Sequence, residues 1–204
     1  MSATFDDVRA ADVCAFQDAR VAEDGWAARG ATAHADGAWQ WIEANHRFNN
    51  LLWDEEDQAR RRDVPDSAIA ASKRAIDGYN QKRNDAIERI DEQLLLMLPN
   101  PGSNQAARLS SETPGAMIDR LSILSLKIHH MRLQTQRSDV AAAHVENCLS
   151  KLHRLNEQRT DLAACLDLLL AECARGASYF KIYRQFKMYN DPALNPAIYR
   201  KEAY

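Results

Sequence analysis

Glycine and proline are scarce in this sequence, with seven and six residues in a chain of 204. A β architecture rich in tight turns needs more of both, so their scarcity disfavours it. Residues that favour helices, such as alanine, leucine and arginine, are abundant. Long apolar runs are also missing, because the best candidate, LAACLDLLLAECA, is shorter than the roughly 18 residues of a membrane span and contains acids. The composition predicts a helical protein without a membrane span.

An excess of one charge is absent too, since the formal net charge is only −3. This balance gives no electrostatic reason to expect binding to nucleic acid or to an anionic membrane. The first residues, MSATFDDVRAADVCAF, lack the basic segment and apolar run of a secretory signal. The four cysteines form no CxxC pair, which favours free thiols over zinc or disulfide bonds. We therefore expect a cytoplasmic protein that binds no nucleic acid.

The sequence contains none of the short motifs that indicate a common reaction or a nucleotide cofactor. It has no GxSxG, GxGxxG or Walker motif, so no cofactor is predicted. A metal site stays open as an alternative, because potential ligands recur along the chain: His46, Glu55, Glu56, Asp119, His129 and His130. The paired Glu-x-x-His pattern of helical di-iron proteins is nevertheless missing, and no metal ligand is assigned.

Hydrophobic periodicity predicts five long helices. They cover roughly residues 5–22, 38–62, 67–98 and 117–133, and about 35 residues between Ser138 and Gly176. Short connections and the absence of a convincing strand pattern favour an all-α bundle in one domain, residues 1–204. Its parts are an N-terminal helix and connection (1–35), core helices (36–176) and a C-terminal aromatic and basic arm (177–204). No internal repeat is evident, and no oligomeric state is predicted.

The second predicted helix contains the most unusual stretch, HRFNNLLWDEEDQARRR. At 100° per residue its side chains separate into two faces. One is mainly apolar and is expected to pack: Trp41, Ala44, Phe48, Leu51, Leu52 and Ala59. The other mixes aromatic, amide and charged groups, as the wall of a half-buried pocket does: Trp39, Ile42, His46, Asn49, Asn50, Trp53, Asp57 and Arg60. The alternative is a surface face of ion pairs such as Glu56–Arg60.

Ionisable groups also fall on faces that are expected to be buried. Glu55 lies among the apolar residues of the packing face, where a carboxylate must find a cation or be protonated. The fourth predicted helix is apolar on nearly every side, yet it carries Asp119, Arg120, Lys127 and His130. We expect these four groups to form a network of ion pairs with acids and an arginine of the second helix: Glu55, Glu56, Asp57 and Arg60. The network either forms a site or only sets how the helices pack.

The C-terminal arm interleaves aromatic and basic residues and contains the segment YRQFKMYNDPALNP. Such a mixture can stack bases and hold phosphates, but more often the aromatic rings dock on the bundle and the cations stay outside. Docking near the second helix would close one side of the pocket. Candidate ligand-binding residues in the arm are therefore Arg184, Gln185, Tyr189 and Asn190.

Three segments together resemble a known family: HRFNNLLWDEEDQAR, ETPGAMIDRLSILSLKIHHM and YRQFKMYNDPALNP. In this order they are similar to the bacterial family catalogued as domain of unknown function 4254, over roughly residues 40–200. The resemblance implies no established activity, but it implies a genetic context beside glycosyltransferases in clusters for surface polysaccharide or lipopolysaccharide. The matching signature positions are His46, Asn49, Trp53, Glu55, Glu56, Asp57, Arg60, Asp119, Arg120, Lys127, Gln185, Tyr189, Asn190, Asp191 and Pro192.

We therefore expect a helical protein of surface-glycan assembly that binds a sugar nucleotide, a glycan intermediate or a glycosyltransferase. In this interpretation Trp53 stacks on a ring, and Arg60 and Arg120 hold a phosphate or carboxylate. Further ligand-binding candidates are Asn49, Asn50, Glu56 and Lys127.

Two alternatives use the same residues differently. In an enzyme, His46 or His130 is the general base, tuned by Asp57 or Asp119, and Glu55 completes the catalytic candidates. In a structural interaction protein, the ionisable groups only set helix packing.

Overall fold

A computed structural model describes residues 8–30, 32–98, 106–185, 191 and 193–196. The described part is all-α apart from two short strands, as the composition predicts. The helices are α1 (Ala10–Val21), α2 (Trp26–Arg29), α3 (Gly37–Gln58), α4 (Asp66–Met97), α5 (Pro114–Thr135) and α6 (Ala142–Ala174), and the strands are β1 (Arg108–Leu109) and β2 (Ser178–Tyr179). Among the described helices, none is both long enough and apolar enough to cross a bilayer. The division into one domain with three parts stays a prediction.

The four long helices from α3 to α6 form two hairpins of matching size. Helices α3 and α5 each have 22 residues, and α4 and α6 have 32 and 33. In both hairpins the turn between the two helices contains the sequence R-x-D-V. In each turn the arginine pairs with the aspartate: Arg61 with Asp63 at 2.7 Å, and Arg137 with Asp139 at 2.6 Å. The structure therefore contains a repeat of helix length and turn chemistry that the sequence analysis missed.

The helix boundaries follow local signals in most places. Helix α5 begins at Pro114, and the side chain of Thr113 accepts a hydrogen bond from the backbone N–H of Ala116. The predicted start of α6 is wrong, because the helix begins at Ala142 and Ser138 lies in the turn. Arg137 and Asp139 pair across Ser138 within this turn.

The apolar core lies between the two hairpins and α1. Its fully buried members include Ile42 of α3, Ile90 of α4, Ile118 of α5 and Leu166 of α6. Strands β1 and β2 pair in parallel, with Arg108 opposite Ser178 and Leu109 opposite Tyr179. This pairing ties the segment before α5 to the chain that leaves α6, so the C-terminal arm starts beside the core.

The first residues of α5 pack closely against α4, and this contact depends on Gly115. A Cβ atom at this position would lie 2.5 Å from the carbonyl oxygen of Ile87 and 2.9 Å from Asp91 Oδ1. We therefore expect Gly115→Ala to lower the free energy of unfolding by about 1–3 kcal/mol, measured by urea denaturation.

The matched control is Gly78→Ala in α4. An added Cβ there meets no atom within 4 Å, and alanine has the higher helix propensity, so the variant should be more stable by up to about 1 kcal/mol. Equal effects at the two glycines would contradict a close contact at Gly115.

Candidate functional site

The face of α3 that packs most deeply is largely its polar face. The buried residues of α3 are Ala38, Ile42, Glu43, Asn45, His46, Asn49 and Leu52. Phe48 and Leu51, which the helical projection assigns to the packing face, are only partly buried. The predicted orientation of α3 is therefore wrong in part: Leu52 of the apolar face is buried and Trp41 packs against the core, but the deepest positions include His46 and Asn49. Burial of its polar face is possible because α5 supplies hydrogen-bond partners for the amide and imidazole groups.

These partners form the buried polar cluster, which consists of Asn45, His46, Asn49, Asp119 and Ser122. Asp119 Oδ1 accepts hydrogen bonds from Asn45 Nδ2 at 2.8 Å and Asn49 Nδ2 at 2.9 Å. Asn49 Nδ2 also donates to Ser122 Oγ at 3.0 Å, and Ser122 Oγ lies 2.8 Å from His46 Nδ1. The cluster joins the first helices of the two hairpins.

His46 lies in the interior, behind the surface of the candidate site. Its side chain is fully buried, with its ring centroid 5.5 Å from that of Trp26. Asn50 Nδ2 lies 3.2 Å from His46 Nε2, so each ring nitrogen faces a protein group. Burial lowers the pKa of His46 to about 3, which keeps the imidazole neutral. The structure thus places this predicted base away from the cavities described next.

Several predicted residues meet in a cavity of about 360 Å³. This α3–α4 cavity is lined by Asn49, Leu52, Trp53, Glu56, Asp57, Arg60, Asn80, Arg83, Ile123 and Leu126. Arg60 Nη1 pairs with Glu56 Oε2 at 2.6 Å. The lining combines an aromatic ring with amide, carboxylate and guanidinium groups, which can hydrogen-bond the hydroxyls of a polar ligand.

Arg83 connects the α3–α4 cavity with both the buried polar cluster and the C-terminal arm. Its Nε lies 3.9 Å from Asp119 Oδ1, and its Nη2 donates to Asn84 Oδ1 at 3.1 Å. Asn84 Nδ2 in turn donates to Gln185 Oε1 at 2.9 Å. The predicted arm residue Gln185 therefore reaches the cavity wall through Asn84 and Arg83.

The rest of the described arm lies along α4. Arg184 pairs with Glu88 at 2.7 Å and Glu92 at 2.5 Å, and it borders a separate cavity that contains Trp41. Two further candidates, Tyr189 and Asn190, lie outside the described residues.

A second cavity, of about 610 Å³, lies between α5 and α6 and adjoins the first. This α5–α6 cavity is lined by Trp53, Asp57, Lys127, His130, Met131, Gln134, Lys151, Arg154, Leu155 and Gln158. Trp53 and Asp57 line both cavities. The rings of Trp53 and His130 stack with centroids 4.5 Å apart and planes 4° apart. The stacked rings of Trp53 and His130 therefore lie where the two cavities meet.

The electrostatics at this junction favour a neutral imidazole. Burial lowers the pKa of His130, and His129 lowers it further, while Asp57 and Asp54 act in the opposite direction. Burial also raises the pKa of the Asp54 carboxyl, which His130 partly offsets. A neutral His130 beside carboxylates can accept a proton from a bound ligand.

The predicted network of ion pairs between α3 and α5 is wrong in most of its partners, although Asp57 and His130 do interact electrostatically. Among the described residues, Glu56 pairs with Arg60 of its own helix, and Arg120 pairs with Glu112 at 2.5 Å. Asp119 accepts amide hydrogen bonds from α3, and its ion-pair partner is Arg83 of α4, at 3.9 Å, instead of a residue of α3. Across the described ranges, no group of three or more His, Cys, Asp or Glu side chains could hold a metal ion.

Glu55 is partly buried and lines neither of the two cavities. The fully buried acid of α3 is Glu43, whose carboxylate accepts hydrogen bonds from the backbone N–H groups of Ala33 and His34. Glu43 Oε2 also lies 2.9 Å from His34 Nδ1. The buried carboxylate thus stabilises the connection before α3.

The cavity residues missed at the sequence level include two polar pairs: Asn80 with Arg83 on α4, and Lys151 with Arg154 on α6. Each pair is three residues apart on one helix, so its members share a face. Similar pairs occur on ordinary solvated helices, and this signal alone could not single them out.

A family model described as "Protein of unknown function (DUF4254)" matches residues 39–182 of the chain. The match includes nearly all of α3 and the whole of α4, α5 and α6, and therefore both cavities. No curated protein and no solved structure matches the chain.

Proposed function

The chain belongs to the DUF4254 family, and from this premise we propose that it binds a sugar nucleotide or a related glycan intermediate. The ligand occupies the α3–α4 and α5–α6 cavities. The proposed setting is the cytoplasmic stage of surface polysaccharide or lipopolysaccharide assembly, which the resemblance to proteins encoded beside glycosyltransferases supports. A glycosyltransferase is the alternative partner for the same surface.

The observation that carries the proposal is the position of Trp53 and Asp57 between two cavities of different chemistry. The α3–α4 cavity offers amides, carboxylates and guanidinium groups, which suit sugar hydroxyls, and the α5–α6 cavity offers cations. Trp53 supplies an aromatic surface at the junction, where a sugar ring or base can pack. Both volumes lie in the range of small-molecule sites, roughly 300–1,000 Å³.

Arg60→Ala tests this assignment, because Arg60 lines the α3–α4 cavity and its side chain is 69% exposed. We expect its affinity for a sugar nucleotide to fall about 10–100-fold, the usual cost of a lost charge-assisted hydrogen bond. Its stability should change by less than about 0.5 kcal/mol, because the pair with Glu56 is exposed. A thermal-shift screen of UDP-, GDP- and CMP-linked sugars identifies the ligand, and titration calorimetry measures its affinity.

Arg61→Ala is the matched control. Arg61 is the next residue, is also exposed, and pairs with Asp63 in the turn outside both cavities. Its substitution should leave the affinity unchanged. Equal losses in the two variants, or a fall in melting temperature of Arg60→Ala without a loss of binding, would contradict the proposal.

An enzymatic function is the second candidate, and the observation that favours it is His130. This histidine lines the α5–α6 cavity, and its burial lowers its pKa, while Asp57 and Asp54 act in the opposite direction. It could act as a general base on a ligand bound beside Trp53. Chromatography of the ligand recovered after incubation distinguishes turnover from simple binding.

A further inference from the structure

Three cations from two helices face the α5–α6 cavity. Lys127 belongs to α5, and Lys151 and Arg154 belong to α6. Lys151 and Arg154 are three residues apart and share one face of their helix. Lys127, His130, Met131 and Gln134 follow the same spacing on α5 and form the facing wall. The cations therefore converge on one space from opposite sides.

These cations lack the acidic partners that neutralise many arginines of this protein. Arg60, Arg120 and Arg184 each pair with a glutamate. By contrast, within the described ranges, the side chains of Lys127, Lys151 and Arg154 take part in no ion pair and no hydrogen bond.

The cavity itself therefore carries an excess of positive charge. The one acid among its lining residues is Asp57, which lies beside Trp53 and interacts with His130. This local excess occurs in a chain whose formal net charge is −3. An anionic ligand would reduce the repulsion between the three cations.

The other residues that line the α5–α6 cavity indicate which chemical group is attached to the anion. Met131 and Leu155 form an apolar surface between the cations, and the stacked rings of Trp53 and His130 form one wall. A small inorganic anion would leave these surfaces unused. A ligand that carries its phosphates next to a ring or a hydrocarbon chain would contact both.

We propose that the α5–α6 cavity is a diphosphate subsite in which Lys127, Lys151 and Arg154 contact the phosphate oxygens. Arg154 can bind two oxygens at once through its planar guanidinium group, and the two lysines add point charges. This inference rests on the proposed function and names the group that it recognises. The diphosphate belongs either to a nucleoside diphosphate sugar or to an isoprenoid-linked sugar, and both share this chemistry.

Titration calorimetry on the full chain with inorganic pyrophosphate, UDP and farnesyl diphosphate tests the subsite. We expect wild-type protein to bind all three probes and Lys151→Ala/Arg154→Ala to bind each at least about 30-fold more weakly, because two charge-assisted contacts are lost. Arg132→Ala is the control, since Arg132 is an exposed arginine of α5 outside the cavity. It should bind like wild type. If the double variant does not fold, Lys127→Gln replaces it, with the same expected direction.

The probes also separate the two sources of the diphosphate. Tighter binding of UDP than of pyrophosphate indicates a nucleotide, and tighter binding of farnesyl diphosphate indicates an isoprenoid. Either result supports the subsite. Failure of wild-type protein to bind any of the three probes, or undiminished binding by the double variant, would overturn it.

The binding results that would contradict the diphosphate subsite differ from those that would contradict the proposed function. Sugar-nucleotide binding that is lost in Arg60→Ala but kept in the double variant would remove the subsite and leave the proposed function standing. Pyrophosphate binding that depends on Lys151 and Arg154, without binding of any sugar nucleotide, would support the subsite and contradict the proposed function.

Discussion

Asp119→Ala should lower the free energy of unfolding by about 3–5 kcal/mol, because it leaves buried polar groups without their shared acceptor. Asp119 is 8% exposed and accepts hydrogen bonds from Asn45 and Asn49 at 2.8 and 2.9 Å. Its Oδ1 also lies 3.9 Å from Arg83 Nε. The substitution removes both amide contacts and the opposite charge together, and urea denaturation at pH 7 measures the loss.

Asp119→Asn is the control that separates charge from hydrogen bonding. It keeps an oxygen acceptor of the same size but removes the negative charge near Arg83. We expect a smaller loss, of about 1–2 kcal/mol, because the amide contacts can persist. A loss below about 1 kcal/mol in Asp119→Ala would show that the cluster does not hold α3 against α5.

The same variants bear on whether Asp119 meets a ligand. Asp119 lies behind the α3–α4 cavity and is not among its lining residues. Folded Asp119→Asn protein should therefore bind the ligand within a few-fold of wild type, whereas Arg60→Ala should not. A selective binding defect in Asp119→Asn, with stability unchanged, would instead support a direct role in the site.

Buried His46 should make a contribution to stability that is lost in acid. Its pKa is about 3 in the folded chain, against an ordinary value of 6.5, because burial disfavours the charged ring. Between these two pH values the unfolded chain binds a proton that the folded chain does not, so the free energy of unfolding falls as the pH falls. From pH 7 to pH 4 this contribution amounts to about 3 kcal/mol.

Asp91 opposes this effect over part of the same range. Burial raises its pKa to about 6, above the ordinary 3.8, although Thr113 and the Gly115 N–H donate hydrogen bonds to the carboxylate. The folded chain therefore binds a proton more readily than the unfolded chain. The stabilising contribution of Asp91 is fully present below pH 3.8 and is lost as the pH rises through 6, an effect of about 3 kcal/mol.

The opposite pKa shifts of His46 and Asp91 predict that the free energy of unfolding changes with pH in opposite directions in variants that lack one or the other. Between pH 6 and pH 4, the stability of wild-type protein should change little, because the contributions of His46 and Asp91 largely offset each other. Asp91→Asn should lose about 2–3 kcal/mol over that interval, and His46→Gln should become more stable as the pH falls. Urea denaturation at pH 6, 5 and 4 measures all three slopes. Parallel slopes in the three proteins would contradict the assignment.

Much of the fold was predictable because its signals are local. Pro65 precedes the start of α4, and the predicted bounds of α4 agree with the structure within two residues. Helix α5 begins at Pro114, three residues before its predicted start. The start of α6 was not predictable in this way, because Ser138 lies in the turn and the residue before the helix is Ala141, which has no capping side chain. A favourable capping residue is therefore a preference that the tertiary context of a helix can override.

The candidate site was predictable only on α3. Asn49, Trp53, Asp57 and Arg60 recur at helical spacing and do line one cavity. The sequence does not indicate which helices pack beside α4 and α6. It therefore could not place Arg83, Lys151 and Arg154 in the site. The orientation of α3 was misjudged, because the buried position of Asn45 depends on Asp119, 74 residues away.

The sequence by itself determined the all-α class, the family, and which side chains share a face of each helix, since these depend on residues a few positions apart. Only the tertiary structure decided which face of α3 is buried. It also decided that His46 lies behind the site, and that Lys151 and Arg154 of α6 line the same cavity as Trp53. The physical reason is that burial of a polar group is favourable only where a partner lies within hydrogen-bonding distance. For α3 those partners belong to the second hairpin.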